Sequence, residues 1–321
     1  MKRILLIASL GLTTIIQAQS YAPPAGVEGS TAIAASSSQF VGWATAATVV
    51  RGPQDIINPT GALANAGSPE YATGAADGSG IVSLGDGGSA VLTFATPIAN
   101  GPGFDFAVFE NGFSDTFLEL AFVEVSSDGV NFFRFPAHSE TQTATQVGGF
   151  GSVDCRYINN LAGKYKASFG TPFDLSDIPD SPLLNKDRIT HVKVIDVIGT
   201  IDPQYASRDS FGNIVNDPYP TPFGSGGFDL DAVGVINQAV LGTKDFVTEE
   251  FSIYPNPARD IVYINSEKEA SIVIYDLYGR QVKTVAKGNH KQISVSDLTS
   301  GTYLITLEAE AKKEVKKLII K

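Results

Sequence analysis

The sequence predicts an all-β protein: a jelly-roll-type β-sandwich followed by a small immunoglobulin-like β-sandwich. Three observations carry this. From Ser89 onward, short stretches alternate apolar and polar residues with the period of two that a half-buried strand requires. Turn signals rich in Gly, Pro, Asn and Asp separate them. After residue 20 no long run sets apolar residues at helical spacing, so helix is confined to short pieces around Leu161 and Asp177. A chain of 321 residues is long enough for two cores of this kind.

Residues 1–18 read as an export signal. Lys2 and Arg3 precede an apolar run from Ile4 to Ile16, and the small residue Ala18 stands before Gln19 at the expected cleavage point. The run is too short to cross a hydrocarbon core of roughly 30 Å as a helix, so no transmembrane segment is expected in the mature chain. No Cys follows the run, which disfavours a lipid anchor. The single Cys155 cannot form an internal disulfide and is expected to be buried and inert.

Residues 19–240 hold the larger domain. Ala90–Phe94, Asp105–Phe109 and Ala121–Val125 alternate as strands, and Asn131–Phe135 follows the turn Ser127-Asp128-Gly129 as the second arm of a hairpin. His191–Val197 and Asp231–Ile236 supply two more strands. Residues 241–250 lack either periodicity and read as a linker. In residues 251–321, the segments starting at Phe251, Ile261, Ser271, Arg280, Gln292 and Thr302 are short strands, and Lys312 to Lys321 forms the last one. Asn256-Pro257, Tyr278-Gly279 and Ser300-Gly301 mark turns between them.

Charge divides along the same lines. The chain carries 23 Lys and Arg against 34 Asp and Glu, a net of −11. Residues 251–321 hold 11 basic and 8 acidic side chains (+3), and residues 19–250 hold 10 and 26 (−16). A net charge of this sign disfavours nucleic acid and anionic membrane surfaces as partners, because both need a basic patch. Three His and one Cys leave little for a zinc site.

The tail resembles a known family, the type A sorting domains of proteins exported by the type IX secretion system of Bacteroidota. Four segments carry the resemblance: Tyr254-Pro255-Asn256-Pro257; Ile272-Val273-Ile274-Tyr275-Asp276 running into Leu277-Tyr278-Gly279-Arg280; Leu298-Thr299-Ser300-Gly301-Thr302-Tyr303-Leu304; and Lys316-Lys317-Leu318-Ile319-Ile320-Lys321. The resemblance implies that residues 251–321 address the protein to the type IX translocon, through the periplasm and outer membrane, and so to secretion or the cell surface. In the larger domain, Val123-Glu124-Val125-Ser126-Ser127-Asp128-Gly129 and Phe228-Asp229-Leu230-Asp231-Ala232-Val233 resemble galactose-binding-like or discoidin-like jelly rolls. Together with Ser83–Ser89, Phe109–Phe113 and Asn216–Pro222, they are similar to a group of uncharacterised secreted bacterial surface proteins.

The candidate chemistry is a cation site. Asp229 and Asp231 lie two apart on a strand, so both carboxylates project from one face and repel unless something compensates them. Glu110, Asp209, Asn213, Asn216 and Asp217 add side-chain oxygens, a hard-oxygen set of the sort Ca²⁺ takes. The competing explanation is that these Asp and Asn cap turns and bond nearby backbone amides.

Among the loop aromatics Trp43, Tyr71, Phe113, Phe117, Tyr205, Tyr219 and Phe223, the three Tyr219, Phe113 and Phe223 are read as ligand-stacking rings, with Tyr219 stiffened by Pro218 and Pro220. No nucleophile elbow, H-E-x-x-H or P-loop is present. The reading that follows is a secreted or cell-surface, non-catalytic binding module, calcium-stabilised, for a glycan or other surface ligand. Two alternatives stay open. One is a polysaccharide hydrolase using a carboxylate pair drawn from Glu110, Glu119 and Glu124, of which Glu119 and Glu124 read more simply as solvent-facing. The other is surface capture of a small nutrient for an outer-membrane importer.

Overall fold

The computed structural model describes residues 20–78, 80–239, 251–266, 269–309 and 312–321. The expected signal peptide and linker lie outside the described residues. The chain divides into two compact units, Met1–Leu241 and Gly242–Lys321.

The first unit is built on twelve strands: β1 (Ile33–Ala34), β2 (Gly42–Val50), β3 (Val82–Ser83), β4 (Ser89–Ile98), β5 (Phe106–Glu110), β6 (Ala121–Ser126), β7 (Phe133–Arg134), β8 (His138–Ser139), β9 (Ile158–Asn159), β10 (Phe169–Phe173), β11 (Ile189–Asp196) and β12 (Asp229–Val235). Ten of them form one hydrogen-bonded sheet in the order β1-β10-β5-β12-β2-β4-β11-β6-β7, with β3 added on β12. All of these pairings are antiparallel. The sheet curls over on itself. Phe135, just past β7 at one end of the order, packs 4.9 Å from Phe173 of β10 near the other end and 5.8 Å from Phe106 of β5. That closure buries Leu92, Val108, Val123, Val194 and Val233 in one core and gives the sandwich its two layers.

Alternation works where one face of a strand is solvated. Along β11, Ile189, Val192, Val194 and Asp196 are buried while most of the residues between them reach the surface. The β6–β7 hairpin forms as expected. Gly129 takes φ +76°, and the Asp128 carboxylate accepts the Val130 and Asn131 amides at 2.8 Å. Among the described residues helix is limited to single 3₁₀ turns, one of them at Leu175–Asp177; no helix forms around Leu161. Cys155 is 1% exposed and burial pushes its thiol pKa up, as an inert thiol requires.

The second unit pairs two sheets around its own core. One holds β13 (Phe251–Tyr254), β14 (Ile261–Ser266) and β17 (Gln292–Ser294); the other holds β15 (Ala270–Asp276), β16 (Gln281–Gly288), β18 (Gly301–Ala309) and β19 (Lys312–Ile320). Val262, Ile264, Ile272, Ile274, Ile305 and Leu318 are buried between them, an immunoglobulin-like sandwich in miniature.

Candidate functional site: buried carboxylates beneath a row of phenylalanines

The acidity of the first unit is concentrated inside it. Glu110, Glu119, Asp196, Asp217, Asp229 and Asp231 are each no more than 7% exposed. Local structure explains why they tolerate burial: most of them accept backbone amides from loops they hold in place. Asp196, the last residue of β11, accepts Gly87 N at 2.8 Å and Phe228 N at 2.7 Å, tying two loops to the sheet. Asp231 accepts Gly78 N at 3.1 Å, and Asp229 accepts the Ser83 hydroxyl of the adjoining β3. Burial raises the Asp229 pKa, and Arg51, held by the Ala66 and Gly67 carbonyls at 2.8 Å, draws it down without offsetting that rise.

Glu110 and Asp217 pin the two ends of the 111–120 loop. Glu110 Oε2 accepts Gly112 N at 2.7 Å, and Asp217 Oδ2 accepts Leu120 N at 2.8 Å. Their other oxygens, Glu110 Oε1 and Asp217 Oδ1, are buried without a partner among the described residues. Glu119 lies near the end of the same loop. Gly163, at φ +78°, lets a neighbouring turn pass so close that a Cβ there would meet the Glu119 carbonyl oxygen at 1.7 Å.

Like charges dominate the electrostatics of the group. Burial, then the charge of Asp229, raises Glu110 well above the usual carboxylate range. Burial followed by Glu110, Asp229 and Asp217 does the same to Glu119. Burial carries Asp86, Asp229 and Asp231 up to about 6 each.

Above this layer the same loops raise an aromatic row. Phe113 stacks on Phe117 at 5.1 Å, Phe117 on Phe150 at 6.2 Å, and Phe150 meets Phe223 at 5.9 Å. Phe113, Phe150 and Phe223 are 76%, 75% and 46% exposed. Four phenylalanines from three loops that contact each other at the surface are unusual in a solvated protein, where large apolar patches mark ligand or partner sites.

The residues expected from the sequence to form a site do not gather as one set. Glu110, Asp217, Asp229 and Asp231 belong to the buried layer, while Phe113 and Phe223 stand at the two ends of the row. Asp209 and Asn213 are engaged with each other: Asp209 accepts Asn213 N at 2.8 Å, Asn213 Nδ2 at 3.0 Å, Phe211 N at 2.9 Å and Ser139 N at 2.8 Å. The Asn216 amide donates to the Gln142 and Thr145 carbonyls at 2.6 and 2.9 Å and accepts Val147 N at 3.0 Å, a loop-bracing role. Tyr219 is 6% exposed and its hydroxyl donates to Asp55 at 2.8 Å, so its ring turns inward from its loop and is not offered as a stacking surface.

Two further positions differ from the solvent-facing expectation. Glu119 is buried, and Glu124 lies under Arg134 at 2.8 Å and Lys193 at 3.8 Å across its neighbouring strands. Phe150 was not among the expected rings. Its signal was a lone aromatic framed by Gly148, Gly149 and Gly151, a ring on a segment too glycine-rich to pack it inside. Among the described residues no three His, Cys, Asp or Glu side chains gather closely enough to hold a metal ion.

No curated protein sequence matches the chain. Among solved structures, Lactobacillus rhamnosus β-glucuronidase aligns with 86% of this chain and 45% of its own at 11% identity, with a TM-score of 0.17. A likeness that slight carries no argument for fold or activity, and the chain spans less than half the length of that enzyme. Residues 252–321 match the family described as the secretion system C-terminal sorting domain.

The tail's motifs have structural work to do. Asn256 of the Tyr-Pro-Asn-Pro segment accepts Ile319 N at 2.9 Å and donates to the Lys317 carbonyl at 2.7 Å, stapling the start of the unit to its last strand. Asp276 accepts the Tyr278 and Arg280 amides across a turn that needs Gly279 at φ +79°, and the Tyr303 hydroxyl donates to the Thr299 carbonyl at 2.8 Å. Residues 252–321 are therefore a type IX sorting domain, and the protein is exported by the type IX secretion system to the outside of the cell or its surface.

Proposed function

We propose that the first unit is a non-catalytic binding domain, a sandwich of jelly-roll type, that the sorting domain delivers outside the cell to hold a glycan or another surface ligand. The observation that carries this is the exposed row Phe113–Phe117–Phe150–Phe223, because aromatic rings on braced loops offer the apolar surface on which the C–H faces of sugars rest. Burial of Glu110 and Glu119 to 1% and 7% supports binding over hydrolysis, since a glycosidic bond needs its carboxylates within reach.

The test is binding of the full chain to a glycan panel. Phe113→Ala and Phe150→Ala are each expected to weaken glycan binding by up to about ten-fold without altering the circular dichroism, as these rings are surface residues. Unchanged affinity in both variants counts against the row. Turnover of any panel member that disappears in Glu110→Gln overturns the non-catalytic reading.

The calcium part of the proposal rests on Glu110 Oε1 and Asp217 Oδ1, two buried oxygens without a partner among the described residues, which a cation would satisfy. Both side chains pin the loop that carries Phe113 and Phe117, so a bound ion would stiffen the row. A thermal melt in Ca²⁺ is expected to exceed one in EDTA by several degrees, by ligand linkage. Equal midpoints exclude the ion.

A further inference from the structure

We propose a second ligand site, separate from the phenylalanine row: a polar cavity walled by Glu140 that takes a small saccharide. The cavity has a volume of about 500 Å³ and is lined by His138, Ser139, Glu140, Thr141, Arg208 and Asn213. A second cavity of about 430 Å³ shares Glu140 and Thr141 as walls and adds Tyr157 and Asn216. Each is within the range that encloses small organic ligands.

What singles the place out is the state of its polar groups. Glu140 is held by its backbone, N–H to the Tyr157 carbonyl at 2.8 Å, yet among the described residues its Oε2 is buried with no hydrogen-bond partner. A buried carboxylate oxygen without a donor is costly to leave unmet, and a ligand hydroxyl supplies one. Arg208 gives one N–H to the Gly212 carbonyl at 2.9 Å, and among the described residues no ion pair joins it to Glu140. His138 bonds the Tyr21 hydroxyl through Nδ1, which leaves Nε2 without a partner among the described residues on a cavity-lining ring.

The wall is also rigid. Asp209, with its bonds made inside the 209–213 turn and to Ser139, fixes Asn213 beside Arg208. Ser139 and Thr141 share a hydroxyl–hydroxyl bond of 2.8 Å. Preorganised groups of this kind lose little entropy on binding.

Acceptor Glu140, donors Arg208 and Asn213, and hydroxyls able to do both match the donor-and-acceptor character of sugar hydroxyls. The apolar side of a sugar ring has a surface as well. Phe211, 70% exposed, packs 4.6 Å from the ring of His138, which lines the first cavity, and Tyr157, 40% exposed, lines the second. A polyhydroxylated ligand uses all of these groups. A free amino acid would use only the opposed charges of Glu140 and Arg208.

The experiment is calorimetric titration of the full chain with free mono- and disaccharides and with free amino acids. A saccharide is expected to bind, to bind at least about ten-fold more weakly to Glu140→Gln and to Arg208→Ala, and to bind Phe150→Ala as it binds the unaltered chain. Glu140→Gln preserves shape, and Thr143→Val at the exposed rim serves as a second, milder probe if Arg208→Ala does not fold. The proposal is overturned if no saccharide binds, if only amino acids bind, or if binding ignores Glu140 and follows Phe150. In that last outcome the phenylalanine row is the site and the binding role of the domain survives.

Discussion

Phe106→Ala is expected to cost the first unit about 3–5 kcal/mol, enough to leave a domain of ordinary stability partly unfolded. Phe106 is fully buried, its ring 5.4 Å from Phe173 and 5.8 Å from Phe135. Those three rings join β5, β10 and the segment after β7, which is where the curled sheet meets itself. Truncation therefore removes a large buried surface and opens a cavity at the seam between layers, a place where neither layer can collapse without repacking the other. Phe150→Ala, at a ring 75% exposed, is expected to change stability by no more than about 0.5 kcal/mol. Urea unfolding followed by the fluorescence of Trp43 reads this unit alone, because Trp43 is the chain's one tryptophan and packs on Phe40 and Phe109 at 4.9 and 5.5 Å. Equal midpoints for the two variants would show that the seam is not where the fold is held.

Strands rich in large apolar residues were legible in the sequence whether or not one face is wet: β11 alternates, while β5 and β12, expected at Asp105–Phe109 and Asp231–Ile236, are buried at every position. Ala90–Phe94 and Ala121–Val125 lie within β4 and β6, and every strand expected in the tail forms, with clean alternation in strands such as β14, where every second residue is exposed. β2 was missed: Gly-Trp-Ala-Thr-Ala-Ala-Thr-Val-Val has too little contrast between its faces to show a period. β10 was missed: Gly170 and Pro172, residue types that ordinarily interrupt strands, both sit inside it. The site was half legible for a related reason. Asp229 and Asp231 were expected to share one face of β12, and all seven positions of that strand are buried between β5 and β2, with β3 closing over Asp229. Composition showed where the charge was concentrated. Whether a carboxylate ends in water or under a loop depends on amides such as Gly112 N and Leu120 N arriving from distant or irregular segments, and no local pattern encodes that. The aromatic row was legible residue by residue for Phe113, Phe117 and Phe223. Its continuity depended on Phe150, which only the fold brings between them.

Acidification is expected to stabilise the first unit. Asp86, Asp229 and Asp231 are each raised to about 6 by burial, while an unfolded chain protonates its Asp near 3.9. Between those values the folded state holds protons that the unfolded state has released. The stabilising contribution is thus complete below about pH 3.9 and is lost as pH rises through about 6. Lowering the pH from about 7.5 to about 5.5 should add about 0.8 kcal/mol per group, or about 2 kcal/mol for the three acting independently. Glu110, Glu119, Asp196 and Asp217 are shifted in the same direction and add to the trend. The facing charges do not reverse it. Asp55 beside Asp86 and Asp77 beside Asp231 push those groups further up, and Arg51 opposes the rise only at Asp229. Groups with the opposite linkage act elsewhere on the scale. Asp128 and Asp154 are held low by hydrogen bonds, and at Asp209 burial is outweighed by them, so their contribution is lost only as pH falls below the unfolded value. Lys164, lowered to about 8 by burial, matters only at higher pH. In the sorting domain the resolved shifts, at Asp276 and Asp297, are both downward, so it should gain nothing over the same range. The Trp43-reported urea midpoint should therefore rise on going from about pH 7.5 to about 5.5 in EDTA, and saturating Ca²⁺ should flatten the rise by keeping Glu110 and Asp217 ionised. A midpoint that falls over that range would mean the buried carboxylates carry compensation that the protein's own side chains do not provide.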